Sequence, residues 1–159
     1  TNPCIPLGFN VNSLGVNLRP MCMGRVIVHL HGNPSNAKLG SLLEDYSSRM
    51  RSKVKIETHN SKLSPEEYLA KLPSSVIVLD ERGKEMTSVE FSKQFEDWVM
   101  STDDIHLGIG PAVGFPHNHG KQSISLSKMT FPHEFAAVLL VEQLYRANEI
   151  SRGTSYHKS

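Results

Sequence analysis

The residues best equipped for chemistry stand in the last third of the chain. Tyr156 and His157 are adjacent near the C-terminal end, and Arg146 lies upstream with Glu142 one helical turn before it. A phenol, an imidazole and a guanidinium in one region can hold an anion, donate to a carbonyl or route a proton. Spacing alone gives two of them a plainer role, since a Glu–Arg pair at i,i+4 contributes a few tenths of a kcal/mol to a helix. Gly108, Gly110 and Gly114 mark a tight turn where main-chain amides lie open to a ligand. His29 and His31 alternate along one stretch, and His117 and His119 flank Asn118. No third donor stands at metal-ligand spacing from either pair, so no metal site is expected. Arg49, Arg51, Lys53 and Lys55 form the densest basic cluster, suited to phosphate, with Lys121, Lys128, Arg152 and Lys158 as a second set.

These groups need elements to hold them. Ser123–Met129 reads as a strand with Ile124 and Leu126 on one face and serines on the other. Thr130 is placed to cap the following helix, Pro132 falls in its first turn, and Gly153 ends it. Phe135, Val138, Leu139, Val141, Leu144 and Tyr145 give that helix a wide apolar surface. This exceeds what one sheet face requires and predicts a dimer through the side that includes Leu140 or Leu144. Upstream strands are expected over Arg25–Leu30, Val54–Glu57, Ser75–Asp80 and Asp104–Ile109. Helices separate them. One runs from Ser35 or Asn36 to about Arg51 with Leu39, Leu42, Leu43, Tyr46 and Met50 inward. A second runs from Ser64 to near Pro73. A third, Ser88–Met100, buries Val89, Phe91, Phe95, Trp98 and Val99. Glu81–Lys84 reads as a turn. This alternation gives an α/β fold with a mainly parallel five-stranded sheet and helices on both faces. Ligands of such sheets sit beyond the carboxyl ends of strands, here Leu79–Asp80, Gly108–Gly114 and Leu126–Phe131.

A 159-residue chain with 38% hydrophobic and 21% charged residues has the size and composition of one globular domain, assigned to residues 24–159. Residues 1–23, rich in Asn, Pro and Gly, read as an irregular extension. An organellar matrix, mitochondrial for example, fits such an extension, with the cytoplasm as the other setting. Two isolated cysteines, Cys4 and Cys22, make neither a disulfide framework nor a zinc set and point to a reducing compartment. No apolar run approaches the roughly 20 residues that span a bilayer, so no membrane role is expected. Net charge is +1, so a nucleic-acid partner has to be met by local basic patches.

The run Leu126-Ser-Lys-Met-Thr-Phe-Pro-His133, then Glu142-Gln-Leu-Tyr-Arg-Ala147, Ile150, Gly153 and Tyr156-His157-Lys158 resembles the C-terminal signature of the RlmH family. These are SPOUT-class methyltransferases that use S-adenosylmethionine to methylate a pseudouridine of large-subunit ribosomal RNA. The match extends over roughly 30 consecutive residues, far beyond a short motif. It implies S-adenosylmethionine as cofactor, the large ribosomal subunit RNA as partner, and a homodimer or a heterodimer with a paralogue. It also implies a trefoil knot, with the chain after Gly114 passing through an earlier loop. Leu79, Gly110, Leu126, Ser127, Lys128, Met129, Thr130 and Phe131 would frame the cofactor. His157, Tyr156 and Arg146 would be catalytic, and Arg49, Arg51, Lys53, Lys121, Arg152 and Lys158 would meet RNA.

The chain departs from the family pattern at three places. Pro111 stands in the glycine loop, Ala137 stands where an arginine is usual, and the segment from Gly114 to Leu126 is short. Two functions follow. One is an active ribosomal RNA methyltransferase; the other is a ribosome assembly factor that binds the large subunit after losing its cofactor contacts.

Overall fold

The computed structural model describes residues 10–11, 17–18 and 23–158. Strands β1 (Asn10–Val11) and β2 (Asn17–Leu18) pair antiparallel. Apart from these and Met23, the extension expected over residues 1–23 lies outside the described residues, Cys4 and Cys22 included. There follow β3 (Val26–His31), α1 (Ala37–Ser48), β4 (Val54–His59), α2 (Pro65–Lys71), β5 (Ile77–Glu85), α3 (Ser88–Met100), β6 (Ile105–Gly108), β7 (Ser123–Ser125) and α4 (His133–Ser151). β3 to β7 form one sheet in the order β4-β3-β6-β5-β7, with every neighbouring pair parallel.

Three helices begin where side chains satisfy free first-turn amides. Asn36 accepts from the amides of Lys38 and Leu39, Ser64 from that of Glu67 ahead of Pro65, and Thr87 and Glu90 close a capping box. The fourth start corrects the expectation for Thr130. α4 opens at Pro132 with no side-chain cap, and the Thr130 hydroxyl donates instead to the Glu81 carboxylate. Glu134 supplies the negative charge that a helix start favours, and it is held by the backbone and hydroxyl of Ser35. At the other end Gly153, at φ +70°, stops the helix as expected.

The sheet is covered on both faces. Val26, Val28 and Leu30 pack with Phe91, Phe95, Trp98, Leu140, Val141 and Leu144 under α1, α3 and α4. On the opposite face Val76 and Val78 meet Tyr68 and Leu72 of the α2 region. α4 is packed against both α1 and α3, which accounts for its apolar breadth. Leu140 and Leu144 are therefore wholly buried, and the expected dimer face is corrected. The large apolar groups left exposed nearby are Phe135 and Leu139 of α4 and Val89 of α3, the last expected to be inward. Leu42 is likewise exposed. Among the described residues no helix is long and apolar enough to cross a membrane.

Most strand ends shift by one or two residues, but two shift further, and both of these shape the site. β5 does not end at Asp80. After a bulge it resumes, so that Leu79 and Lys84 both stand opposite Ile124 of β7. β7 itself stops at Ser125, because Ser125 turns its hydroxyl to the Ser127 and Glu81 carbonyls. Residues 126–131 thus leave the sheet as a loop.

Tyr68 anchors the far side of the sheet. Its buried hydroxyl donates to the Ile109 carbonyl at 2.8 Å, and its ring stacks on Phe115 at 5.8 Å. Burial pushes the phenol pKa well above its usual value. Tyr68→Phe keeps the stacked ring but orphans a buried carbonyl, at a cost of about 1–3 kcal/mol. Thermal denaturation should show a drop of roughly 2–4 °C for each kcal/mol lost.

Candidate functional site

The bulge of β5 and the carboxyl ends of β6 and β7 open onto a cavity of about 350 Å³. β5 contributes Leu79 and Asp80, the β6 end contributes Ile109 and Gly110, and the loop after β7 contributes Leu126, Ser127, Met129, Thr130 and Phe131. His133 and Ala136 of α4 close it. Seven of the eight residues expected to frame a cofactor therefore line one space. Lys128 is the exception and is not part of the wall.

The wall is held by interactions among its own parts. Gly110 is needed for close approach, since a Cβ there would lie 3.2 Å from the Phe115 ring. The Gly114 amide donates to the Pro111 carbonyl at 2.8 Å, and Gly114 takes φ +82°, so residues 111–114 form a tight turn. Pro111 is itself buried, and the backbone of Ala112 and Val113 follows it along the cavity. The loop 126–131 is tied to the β5 bulge by the Ser125 and Thr130 hydroxyls on Glu81.

Charge in the cavity comes from Asp80, which the sequence marked as a strand end, and from Arg82, which it did not. Arg82 donates to the Asp80 carboxylate from Nε at 3.2 Å and Nη2 at 3.0 Å, and His119 approaches it at 3.3 Å. The Arg82 guanidinium holds that carboxyl well below the usual carboxylate range. Arg82 was read as part of a turn and Phe115 as loop; only the bulge and the packing on Gly110 place them here.

Ala137 does not face this cavity. It is buried in the helical core, and the neighbouring Ala136 lines the wall instead. The residue that departs from the family pattern is therefore a packing residue in this fold.

Tyr156, His157 and Arg146 meet one another, but elsewhere. Arg146 donates to Glu142 at 2.6 Å, contacts His157 Nδ1 at 3.2 Å, and lies over the Tyr156 ring at 5.0 Å. Tyr156 donates its hydroxyl to Glu142 at 3.1 Å and packs edge-on against Tyr145. Burial, then hydrogen bonding with Tyr46, raises the Tyr156 pKa. Ala136 and Arg146 are separated by ten residues of α4, about 15 Å along its axis at 1.5 Å per residue. Within one chain the cluster is thus remote from the cavity.

The basic residues divide in the same way. Arg49 pairs with Asp45 at 2.9 Å and lies over the Tyr46 and Tyr145 rings. Lys53 donates to Asn148 at 2.7 Å, and Arg152 pairs with Glu149 at 3.1 Å. These three hold to the C-terminal half of α4, while Arg51 and Lys158 are exposed and Arg51 lines a separate groove beside α1 and β4. Lys121 stands apart, donating to the Ser74 carbonyl at 3.2 Å.

One expectation about the histidines is corrected. Glu57 does converge on His29 and His59, because parallel pairing sets residues from β3 and β4 side by side. Linear spacing could not show it.

Comparison with known proteins agrees with this architecture. A family model described as Predicted SPOUT methyltransferase matches residues 25–157. The "Ribosomal RNA large subunit methyltransferase H" of Coprothermobacter proteolyticus is 37% identical over 131 residues, covering 80% of this chain and 94% of that protein. The protein of the same name from Maridesulfovibrio salexigens is 47% identical over 93 residues, covering 54% of this chain and 58% of that protein. A third, from Acidovorax ebreus, is 33% identical over 134 residues, with 72% and 86% covered. The chain thus spans from somewhat over half to nearly all of these relatives. It belongs to the SPOUT methyltransferase family, among the proteins of the RlmH type.

Proposed function

We propose that the chain transfers a methyl group from S-adenosylmethionine to a pseudouridine of large-subunit ribosomal RNA, working as a dimer. The observation that carries this reading is the convergence of Leu79, Gly110 and the 126–131 loop on one cavity at the carboxyl ends of parallel strands. Its size lies within the range of small-ligand sites. Its main-chain groups and the acidic and basic pair Asp80 and Arg82 suit a zwitterionic ligand with a purine.

When bound, the cofactor supplies a methyl on an activated sulfonium, so the protein's task is largely positioning. Gly110 and the turn at 111–114 present backbone at the wall, and the loop 126–131 encloses it from the other side. The tail cluster is suited to hold RNA. Arg146 is a donor only, so its contact makes His157 Nδ1 an acceptor and puts the proton of a neutral ring on Nε2. In this arrangement His157 donates to a base carbonyl or phosphate. Arg49, Lys53 and Arg152 lie toward the same end and, with Arg51 and Lys158, would meet the RNA backbone.

A dimer resolves the distance between cluster and cavity, since a second copy brings its α4 end to the first copy's cavity. Phe135, Leu139 and Val89 offer the exposed apolar surface for that contact. The assembly-factor reading loses one of its supports, because Ala137 faces the core and removes nothing from the cavity.

Calorimetry and thermal shift with S-adenosylmethionine test the reading. The cofactor should raise the melting temperature by mass action, equivalent to about 2.7 kcal/mol at a hundred times Kd. Gly110→Trp, which fills the cavity, should abolish the shift without unfolding the protein, at some loss of unliganded melting temperature because it crowds the Phe115 ring. No shift for the parent chain at millimolar cofactor would return the assembly-factor reading to first place.

A further inference from the structure

We propose that His29, Glu57 and His59 form a binding site for a divalent metal ion of the zinc class, on the sheet face that carries α2. The site stands independently of methyl transfer.

The three residues are brought together by strand register. His29 of β3 lies opposite Glu57 of β4, and Glu57 and His59 are two residues apart, so all three project from one face. His29 Nδ1 is 2.9 Å from His59 Nε2. A carboxylate oxygen of Glu57 lies within 4.8 Å of both ligand atoms. Zinc bound tetrahedrally at about 2.0–2.1 Å separates its nitrogen ligands by about 3.3 Å. Widening the contact by about half an ångström and tilting both rings until their lone pairs converge on one point turns the imidazole pair into a chelating pair, within side-chain freedom.

One tautomer of the His29 ring suits this. His29 Nε2 is 2.9 Å from His106 Nδ1 on the other neighbouring strand. If His29 donates Nε2–H to His106, its Nδ1 lone pair points at the site. Ligating histidines are commonly oriented in this way by an acceptor behind the ring. Two neutral imidazoles can then ligate with the proton count unchanged, once the His59 proton moves from Nε2 to Nδ1. Two imidazoles and a carboxylate suit zinc and leave a fourth position for water. His29 is buried, while Glu57 is exposed and His59 half-buried, which provides an entry path from the sheet edge. Among the described residues β4 is the edge strand and pairs only with β3, so an ion held by both strands would pin that edge.

The test is calorimetric titration of the untagged full chain with zinc chloride, followed by thermal denaturation. One ion per chain, with micromolar or tighter affinity and a raised melting temperature, is expected. His59→Asn should abolish binding and Glu57→Gln should weaken it at least tenfold. Both positions are accessible enough for the fold to persist, which circular dichroism checks. Absence of binding by the parent chain overturns the proposal and leaves a chain of hydrogen-bonded imidazoles. Binding that survives His59→Asn overturns it too, because the ion then lies on other histidines. Loss with His59→Asn but not with Glu57→Gln removes Glu57 as ligand and overturns the three-donor site.

Discussion

Gly83→Ala should lower the melting temperature by about 5–10 °C and weaken cofactor binding together. A Cβ at Gly83 would lie 2.7 Å from the Ile124 nitrogen and the Ser123 carbonyl carbon, and 2.8 Å from the Ile124 carbonyl carbon. All three are backbone atoms of β7, so no side chain can swing aside. The strand must move, and overpacking of this kind costs about 1–3 kcal/mol. A domain of this size loses about 2–4 °C per kcal/mol. β7 leads directly into the 126–131 loop, so its displacement should reach the cavity. Gly40→Ala is the control, since Gly40 lies inside α1 with only Pro34 Cβ near, at 3.7 Å. It should stabilise by up to about 1 kcal/mol through helix propensity. Equal effects of the two substitutions would show that close contact between β5 and β7 is not what Gly83 serves.

The second large effect concerns the tail. Arg146→Ala should reduce methylation of ribosomal RNA by about a hundredfold or more, because it removes the group that holds Glu142, His157 and the Tyr156 ring together. S-adenosylmethionine affinity should hardly change, as the cluster lies about 15 Å along α4 from the cavity. Mixing tests whether the site is shared between two copies. Arg146→Ala and Gly110→Trp chains, each inactive, should regain roughly a quarter of the parent activity when refolded together. Half of the dimers are then mixed, and each mixed dimer holds one complete site built from two chains. No recovery on mixing would mean that cluster and cavity act within one chain.

Much of the fold was legible in the sequence because it rests on local signals. The Asn36, Ser64 and Thr87 starts, the buried runs of β3 and β5 and the stop at Gly153 are all written in neighbouring residues. The cavity residues were also legible through the family signature, with Lys128 the exception. What escaped depends on distant partners. Thr130 reads as a cap until Glu81 takes its hydroxyl, and Leu140 reads as an interface residue until α1 and α3 flank α4. Glu57 is only the end of an expected strand until register sets it beside His29.

The sheet order has a kinetic consequence. With only parallel neighbours, no strand can zip onto the next through a hairpin, and each pairing waits for a long loop to close. Arg25 N–H finds the Asp104 carboxylate 79 residues away, and β7 must arrive before β5 gains its outer neighbour. Such topologies fold slowly, because closure entropy is spent before contacts form. The cavity is the last part of the molecule to exist, since its far wall follows β7. A nascent chain leaving the ribosome therefore has its first strands and helices well before this cavity can close, and any product truncated ahead of Ser123 lacks the wall that residues 126–131 and α4 supply.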